Sequence, residues 1–182
     1  MQHEVPRIRM DTIDVKILIE LQEDASLSNV ELAQRVGLSP SPCLVRVRAL
    51  ETSGVIARRV TLLDPHSVGA NISVFIQVTL ERQAEAQLER FEAAIQTFSE
   101  VMECYLMTGD SDYMLRVVVS DVGALQHFIV EKLSKTPGVA NIRSSFALKQ
   151  VKYKTAFPIG ELLDAQRNVG VLPRRQQRPD QG

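Results

Sequence analysis

The sequence has no tryptophan, only two cysteines and only three histidines in 182 residues. Cys43 and Cys104 stand apart, without the spacing of a zinc site or of a disulfide framework. We therefore predict two buried free thiols, no metal and no cofactor. No apolar run approaches the roughly 20 residues that span a bilayer, and the charged start is unlike a signal peptide. These absences predict a cytoplasmic protein with no membrane partner.

The formal net charge is -1, so the chain lacks the overall basic character of many nucleic-acid-binding proteins. Its positive charges are nevertheless unevenly distributed. Residues 40–60 contain four arginines against the single acidic residue Glu51. A basic patch on a neutral chain is typical of DNA binding that needs several subunits at once.

Residues 28–56 predict two short helices joined by a tight turn. Ser28 and Glu31 have the spacing of a capping box at the start of the first helix. Gly37 is suited to end that helix, because glycine tolerates a positive φ. The second helix begins within a Ser-Pro-Ser-Pro run, which supplies a capping serine and an N-terminal proline. It stops at Gly54.

The second helix separates into two faces. Cys43, Val47 and Leu50 recur at helical spacing and are expected to pack inward. The opposite face carries small, hydroxyl and arginine side chains, which suit a helix in the major groove. The predicted DNA contacts are Ser39, Ser41, Pro42, Val45, Arg46, Arg48, Arg58 and Arg59. The alternative is an ordinary helical hairpin with a solvated arginine edge.

The segment from Val55 to Leu63 is rich in β-branched residues. It predicts one or two strands that form the wing of a winged helix and hold Arg58 and Arg59 near the phosphate backbone. The alternative is a linker strand with two solvated arginines. We assign residues 1–62 to a DNA-binding domain and residues 63–70 to a linker.

The second half predicts strands and helices in the order βαββαβ, which is the ferredoxin-like arrangement. The predicted strands are 71–81, 101–107, 113–119 and 139–151, and the predicted helices are 84–97 and 121–135. The fold class is therefore α+β, with the second domain at residues 71–154. Alternating apolar residues in the first strand favour a dimer joined through its sheets. Residues 155–182 are predicted to be a partly disordered extension, with 157–163 packing on the sheet or on a neighbour.

The loop sequence GDSDY at residues 109–113 places two carboxylates close together. Asp112 is suited to accept a hydrogen bond from the ammonium group of a ligand. A turn whose aspartates bond their own backbone explains the same residues equally well. The loop by itself does not decide between these alternatives.

The run GLSPSPCLVRVRALETSGVI, together with GDSDY, resembles the Lrp/AsnC family of transcription regulators over about residues 10–154. The resemblance implies binding to double-stranded DNA near the nucleoid, and homodimers that assemble into tetramers or octamers. It also implies a small amino acid bound between subunits. The implied effector-binding residues are Leu106, Thr108, Gly109, Asp110, Asp112 and Val122, with Ser145, Phe146 and Ala147 from a neighbouring subunit. Ser145 and Phe146 replace the tyrosine and valine expected in the leucine-responsive member, so leucine is not fixed as the effector.

Three other functions fit the sequence less well. An enzyme is disfavoured because the histidines are scattered and no nucleophile motif or phosphate-binding glycine loop is present. An RNA-binding sheet requires exposed stacking aromatics, which the predicted strands largely lack. An effector-binding module without DNA contact is excluded only if the first sixty residues bind DNA.

Overall fold

The computed structural model describes residues 10–169, and it describes the side chains of residues 10–164. The described chain forms two compact units. The first combines the residues up to Thr61 with those from Tyr153 onward, and the second is Leu62–Lys152. The chain therefore returns to its N-terminal unit after completing the second unit. Within the described residues, no helix is long and apolar enough to cross a membrane.

The first unit contains the three predicted N-terminal helices. They are α1 (Thr12–Glu23), α2 (Asn29–Val36) and α3 (Pro40–Thr52). Apolar side chains at helical spacing meet in one core, which shields them from water. Its buried members are Ile17, Leu18, Leu32, Ala33, Val36, Cys43, Val47 and Leu50. Burial raises the pKa of the Cys43 thiol, as expected for a small core residue.

The boundaries of α2 follow the predicted signals. The Ser28 hydroxyl accepts from the backbone N–H of Glu31, whose carboxylate accepts from the backbone N–H of Ser28. Gly37 ends the helix with φ +75°, a conformation that strains any residue with a Cβ. The turn into α3 then begins at Ser39, which occupies the N-cap position without a side-chain capping bond.

The predicted wing strand is wrong. Residues 53–71 contain no β-strand in the described chain, and only His66–Val68 form a short 3-10 turn. β-branched residues favour an extended backbone, but a strand also needs a partner that accepts and donates its hydrogen bonds. None of the four strands in the described chain pairs with this segment.

The second unit is an antiparallel sheet with helices on one face. Its elements are β1 (Ile72–Leu80), α4 (Glu85–Ile95), β2 (Val101–Leu106), β3 (Tyr113–Val119), α5 (Val122–His127) and β4 (Val139–Phe146). The strands lie in the order β2-β3-β1-β4, with every neighbouring pair antiparallel. This order confirms the predicted ferredoxin-like arrangement. The last strand ends at Phe146 and does not continue to residue 151 as predicted.

The core of this unit lies between the sheet and its helices. Val74, Ile76 and Val78 point into it from β1 and are fully buried. Phe91 of α4 packs on Tyr113, with 4.5 Å between the ring centroids. The Tyr113 hydroxyl donates to a carboxylate oxygen of Glu92 over 2.8 Å. Burial raises the pKa of Tyr113, and this hydrogen bond raises it further.

The second helix of this unit departs from the predicted single helix over 121–135. Regular α-helix ends at His127, and a π-helical turn over Phe128–Lys132 and a 3-10 turn follow it. The wider π turn allows residues five apart to lie on one face. Phe128 and Leu133 are accordingly both fully buried, whereas Val122 at the start of α5 is exposed.

After β4 the chain forms a further helix, α6 (Ile159–Val169). Ile159 packs against the core of the first unit, so the predicted packing of this segment on the sheet is wrong. Its alternative, packing on a neighbouring subunit, stays a prediction. The end of the chain predicted to be disordered, residues 173–182, lies outside the described residues.

The buried position of Phe91 yields a test of the core. Phe91→Ala is expected to lower the free energy of unfolding by about 3–5 kcal/mol, because it removes a buried ring and leaves a cavity. Urea unfolding measures this change. Leu148→Ala is the control: Leu148 is 98% exposed, so a change within about 0.5 kcal/mol is expected. Equal losses of unfolding free energy in Phe91→Ala and Leu148→Ala would contradict the burial of Phe91 in this core.

Candidate DNA-binding surface and ligand-binding site

The face of α3 opposite the core is exposed and carries small or apolar side chains. Ser41, Pro42, Val45 and Ala49 are all exposed there, and Val45 is 66% exposed. Cys43, by contrast, is fully buried. The predicted division of the helix into a core face and a free face is therefore present.

The two helices of the hairpin are joined by a side chain as well as by the turn. The Asn29 amide donates from Nδ2 to the carbonyl oxygen of Pro40 over 2.7 Å. This bond links the first turn of α2 to the first turn of α3. The backbone N–H of Leu38 donates to the carbonyl oxygen of Ala33 over 2.8 Å and closes the end of α2. The position of α3 is thus determined by polar contacts at the turn in addition to the core.

The four predicted DNA-contacting arginines fall into two classes. Arg46 and Arg59 already bind carboxylates: Arg59 lies 3.1 Å from Glu51. Arg48 and Arg58 are exposed and make no ion pair within the described part of the chain. These two guanidiniums are free to meet an external anion.

Arg46 holds α3 against α1. Its Nη1 lies 2.7 Å from Oδ2 of Asp11 and 2.8 Å from Oδ1 of Asp14. Both carboxylates raise the pKa of the guanidinium. The backbone N–H of Asp14, followed by Arg46 itself, holds the pKa of Asp11 below its usual value. Arg46 therefore has a structural role within the monomer, where it links α3 to the start of α1. Its binding to DNA stays a prediction.

The GDSDY loop is anchored by Asp112. This residue is only 5% exposed. Its Oδ2 accepts from the backbone N–H of Leu80 over 2.7 Å, and its Oδ1 accepts from Nε2 of Gln83 over 2.6 Å. Its backbone carbonyl accepts from the N–H of Met107, which closes the loop. Both carboxylate oxygens are therefore occupied within the chain, by partners outside the loop and not by the loop's own backbone as the alternative expected.

Asp110, two residues earlier, has the opposite environment. It is exposed, and its side chain makes no hydrogen bond or ion pair that the described residues supply. With Ser111 it lines a pocket of about 240 Å³ on the sheet face that no helix covers. The other lining residues are Gln77, Thr79, Asn141 and Arg143.

The pocket residues from the strands were missed by the sequence reasoning. In β1 and β4, Gln77 pairs with Arg143 and Thr79 pairs with Asn141, so all four side chains lie on one face. The signal available was the alternation of Asn141, Arg143 and Ser145, since residues two apart in a strand share a face. Arg143 makes no ion pair within the described chain and is the pocket's only basic lining residue.

The effector-binding residues implied by the resemblance separate into two groups. The first group is Leu106, Thr108, Gly109, Asp110 and Asp112, at the end of the sheet where β1 finishes. The second group is Val122, Ser145, Phe146 and Ala147, at the end where β1 begins, since Phe146 pairs with Val74 and Ile72 with Val119. About 17 Å of strand separates Val74 from Thr79. The structure of one chain therefore does not bring the two groups together.

The uncovered face of the sheet mixes polar and apolar side chains. Phe75 is 41% exposed there, and Tyr105 of β2 is also exposed. Arg116 lies 2.6 Å from Glu103, which also accepts from the Tyr105 hydroxyl. Cys104 points the other way, and burial raises its pKa to about 11. An exposed face of this kind on a half-covered sheet is typical of a surface that meets another chain.

Comparison with known proteins agrees with both halves of the chain. Residues 10–57 match the winged helix-turn-helix DNA-binding family, and residues 73–157 match the Lrp/AsnC ligand-binding domain. The leucine-responsive regulatory proteins of Salmonella typhimurium and Escherichia coli K12 are each 46% identical over 143 residues, covering 79% of this chain and 87% of theirs. The chain belongs to the Lrp/AsnC family.

Solved structures of regulators support the same assignment. A transcriptional regulator of Neisseria meningitidis, solved as a complex with L-methionine, has a TM-score of 0.81 and 41% identity, covering 85% of this chain and 99% of its own. An AsnC family regulator of Agrobacterium tumefaciens has a TM-score of 0.79 and 42% identity, covering 84% and 99%. As an Lrp/AsnC protein, this chain is a DNA-binding transcription regulator with a ligand-binding domain, and it is not an enzyme.

The contrast between the two loop aspartates is directly testable. Asp112→Ala is expected to lower the free energy of unfolding by about 1–3 kcal/mol, because it leaves the buried N–H of Leu80 without its partner. Chemical denaturation of the full chain measures the loss. Asp110→Ala, in the same loop, is expected to change it by less than about 0.5 kcal/mol. Similar losses for the two variants would show that Asp112 does not anchor the loop.

Proposed function

We propose that this Lrp/AsnC regulator reads DNA through the exposed face of α3 and senses a small amino acid in its second unit. The DNA assignment rests on the free face of α3, where Ser41, Pro42 and Val45 lie together away from the core. Small side chains allow a helix to approach base edges in the major groove. The apolar side chain of Val45 fits against a thymine methyl group.

The backbone contacts follow from the distribution of charge. Among the described residues, Arg48 and Arg58 pair with no carboxylate, and they are the guanidiniums best placed to bind phosphate. Arg46 and Arg59 can bind a phosphate only if each guanidinium contacts it alongside its carboxylate partner or breaks its ion pair. Ser39 begins α3 without a side-chain capping bond, so its hydroxyl is available to a phosphate oxygen. Pro40 and Pro42 have no backbone N–H, which leaves the N–H of Ser41 as the available donor of the first turn.

The ligand assignment rests on one pocket that contains both Asp110 and Arg143, each without an ion-pair partner among the described side chains. A free amino acid carries an ammonium and a carboxylate, which these two side chains complement. Asn141 and Gln77 add amide donors and acceptors between them. We assign the ammonium contact to Asp110, because the oxygens of Asp112 are already occupied.

The same surface supports assembly of copies of this chain. The pocket opens onto the uncovered sheet face that carries Phe75 and Tyr105, so a second copy packed on this face would exclude water from it. The two separated groups of implied ligand residues also require a neighbouring subunit to meet. We therefore propose a homodimer joined through its sheets, and further association of dimers into tetramers or octamers near the nucleoid in the cytoplasm.

Regulation then follows from linkage. An effector that binds one assembly or orientation of subunits better than another shifts the population toward that state. The effector changes the DNA affinity by the same factor by which DNA changes the effector affinity, and typical couplings are about 1–3 kcal/mol.

Replacing Arg48 tests the DNA surface. Arg48→Ala is expected to weaken binding to DNA and to reduce the dependence of log K on log salt by about 1, because one phosphate contact is lost. Fluorescence anisotropy at several salt concentrations measures both quantities. Arg90→Ala is the control, because it removes the same charge from α4 in the second unit. It is expected to leave the DNA affinity and its salt dependence unchanged. Equal salt dependence for Arg48→Ala and the unmodified protein would remove Arg48 from the interface.

A thermal-shift scan against the twenty amino acids tests the pocket, with L-methionine tried first. A ligand at 100 times its Kd stabilises the folded protein by about 2.7 kcal/mol, enough to raise the melting temperature visibly. We expect a shift with one or two amino acids that is lost in Asp110→Asn and in Arg143→Gln. Arg82→Gln, an exposed arginine outside the pocket, is expected to keep it.

Two outcomes of that scan would count against the ligand assignment. No shift with any of the twenty would contradict an amino-acid effector. A shift retained in both pocket variants would place the amino acid elsewhere on the protein.

A further inference from the structure

The C-terminal helix α6 lies beyond the part of the chain that defines the family. The match to the Lrp/AsnC ligand-binding domain ends at residue 157, and α6 begins at Ile159. The two regions that match the family descriptions therefore do not include it. Its position is nevertheless specific, because it packs within the first unit against α1.

The contact with α1 is made by a side chain that binds backbone. Nε2 of Gln22 donates to the carbonyl oxygen of Phe157 over 3.2 Å. The backbone N–H of Phe157 donates to Oε1 of Gln22 over 2.7 Å. This pair of bonds needs both a donor and an acceptor on one side chain, which glutamine supplies and glutamate does not. Beyond it, Ile159 packs against the core that contains Ile17.

The contact is small. Phe157 is exposed, Leu162 is half-exposed, and Ile159 is only partly buried. A segment with few buried apolar contacts opens at a lower free-energy cost than the core of its domain. The docked helix is therefore able to leave α1 without unfolding the three-helix core.

Helix α1 is also the helix that holds the recognition helix. Asp11 and Asp14, at its first turn, bind Arg46 of α3. Gln22, at its last turn, binds Phe157. The same α1 thus contacts the DNA-reading element at one end and the C-terminal segment at the other.

The C-terminal segment is joined directly to the ligand-binding sheet. Strand β4 ends at Phe146, and residues 147–156 lead from it to Phe157. Ten residues span at most about 36 Å when extended, so this tether limits how far Phe157 can move from the end of β4. The implied ligand residues Ser145, Phe146 and Ala147 lie at the start of this tether.

We propose that residues 157–169 form a clasp whose docking on α1 couples the end of β4 to the recognition helix. The clasp, docked, holds α1 and so favours the arrangement in which α3 binds DNA. A change at the end of β4 alters how often the clasp is docked and thereby alters DNA affinity. This inference rests on the proposed DNA-binding function.

Two truncated chains and one point variant test the clasp. A chain ending at Ala156 lacks the clasp, and a chain ending at Val169 keeps it while removing the same tail. Gln22→Leu removes both hydrogen bonds to Phe157 in the full-length chain. We expect amide hydrogen exchange in α1 to accelerate about threefold or more without the clasp and in Gln22→Leu, and to stay unchanged in the chain ending at Val169.

Coupling is measured by a double-mutant cycle that needs no effector. Phe146→Ala is introduced into the full-length chain and into the chain ending at Ala156. The DNA used is a sequence that the unmodified protein selects from a random pool. In the full-length chain, we expect Phe146→Ala to change both the amide hydrogen exchange of α1 and the affinity for this DNA. In the chain ending at Ala156, which lacks the clasp, we expect Phe146→Ala to change neither. The proposal would be overturned if Phe146→Ala had equal effects on exchange and DNA affinity in both chains. It would also be overturned if removing the clasp left the amide hydrogen exchange of α1 unchanged.

Failure of the proposed function gives a different result. If the unmodified protein selects no DNA, the DNA-binding surface is wrong, and the exchange measurements on α1 still report whether the clasp docks and whether β4 influences it. If DNA binds normally but exchange and affinity do not respond to the clasp, only the present inference fails.

Discussion

The alternation of side chains along β1 is the constraint on which the second unit depends. Val74, Ile76 and Val78 are buried without exception, because α4 and α5 cover that face. The residues between them then necessarily face outward, and no helix in the described chain covers them. One strand therefore both builds the core and supplies Gln77 and Thr79 to the pocket. A shift of one residue in register would exchange these roles and destroy both.

Twice in this structure, two nearby residues of the same type have different roles: one is bound within the chain, and the other is exposed and able to bind a ligand or DNA. Both carboxylate oxygens of Asp112 accept hydrogen bonds that hold the loop, whereas Asp110 remains exposed at the pocket. Arg46 is fixed between two carboxylates at the start of α1, whereas Arg48, two residues later, has no ion-pair partner in the described part of the chain. In each pair the first role supports the second: an anchored loop holds Asp110 in place, and an anchored α3 holds Arg48. Rigid support of this kind lowers the entropic cost of binding.

The sequence predicted those features that depend on local patterns. Capping residues located α2, and alternation located β1, because both signals involve neighbours within a few positions. It failed at Val55–Leu63, since strand formation depends on a partner that local propensity does not reveal. It also missed Arg143, whose relation to Asp110 arises only from the pairing of β4 with β1. The roles of Asp112 and Arg46 were undecided for the same reason: their partners, Leu80 and Asp11, are more than thirty positions away.

A regulator of this kind needs an element with two states that both the ligand and the DNA influence. The cores of the two units are poor candidates, because close-packed interiors deform little at low cost. The segment after Phe157 is a better candidate, since Phe157 and Leu162 are exposed and Ile159 alone packs against the edge of the first core. Its hydrogen bonds to Gln22 close on α1, the same helix that fixes Arg46. In the proposed clasp, a small free-energy difference at the end of β4 would change the support of the DNA-reading helix without a large rearrangement within either folded unit.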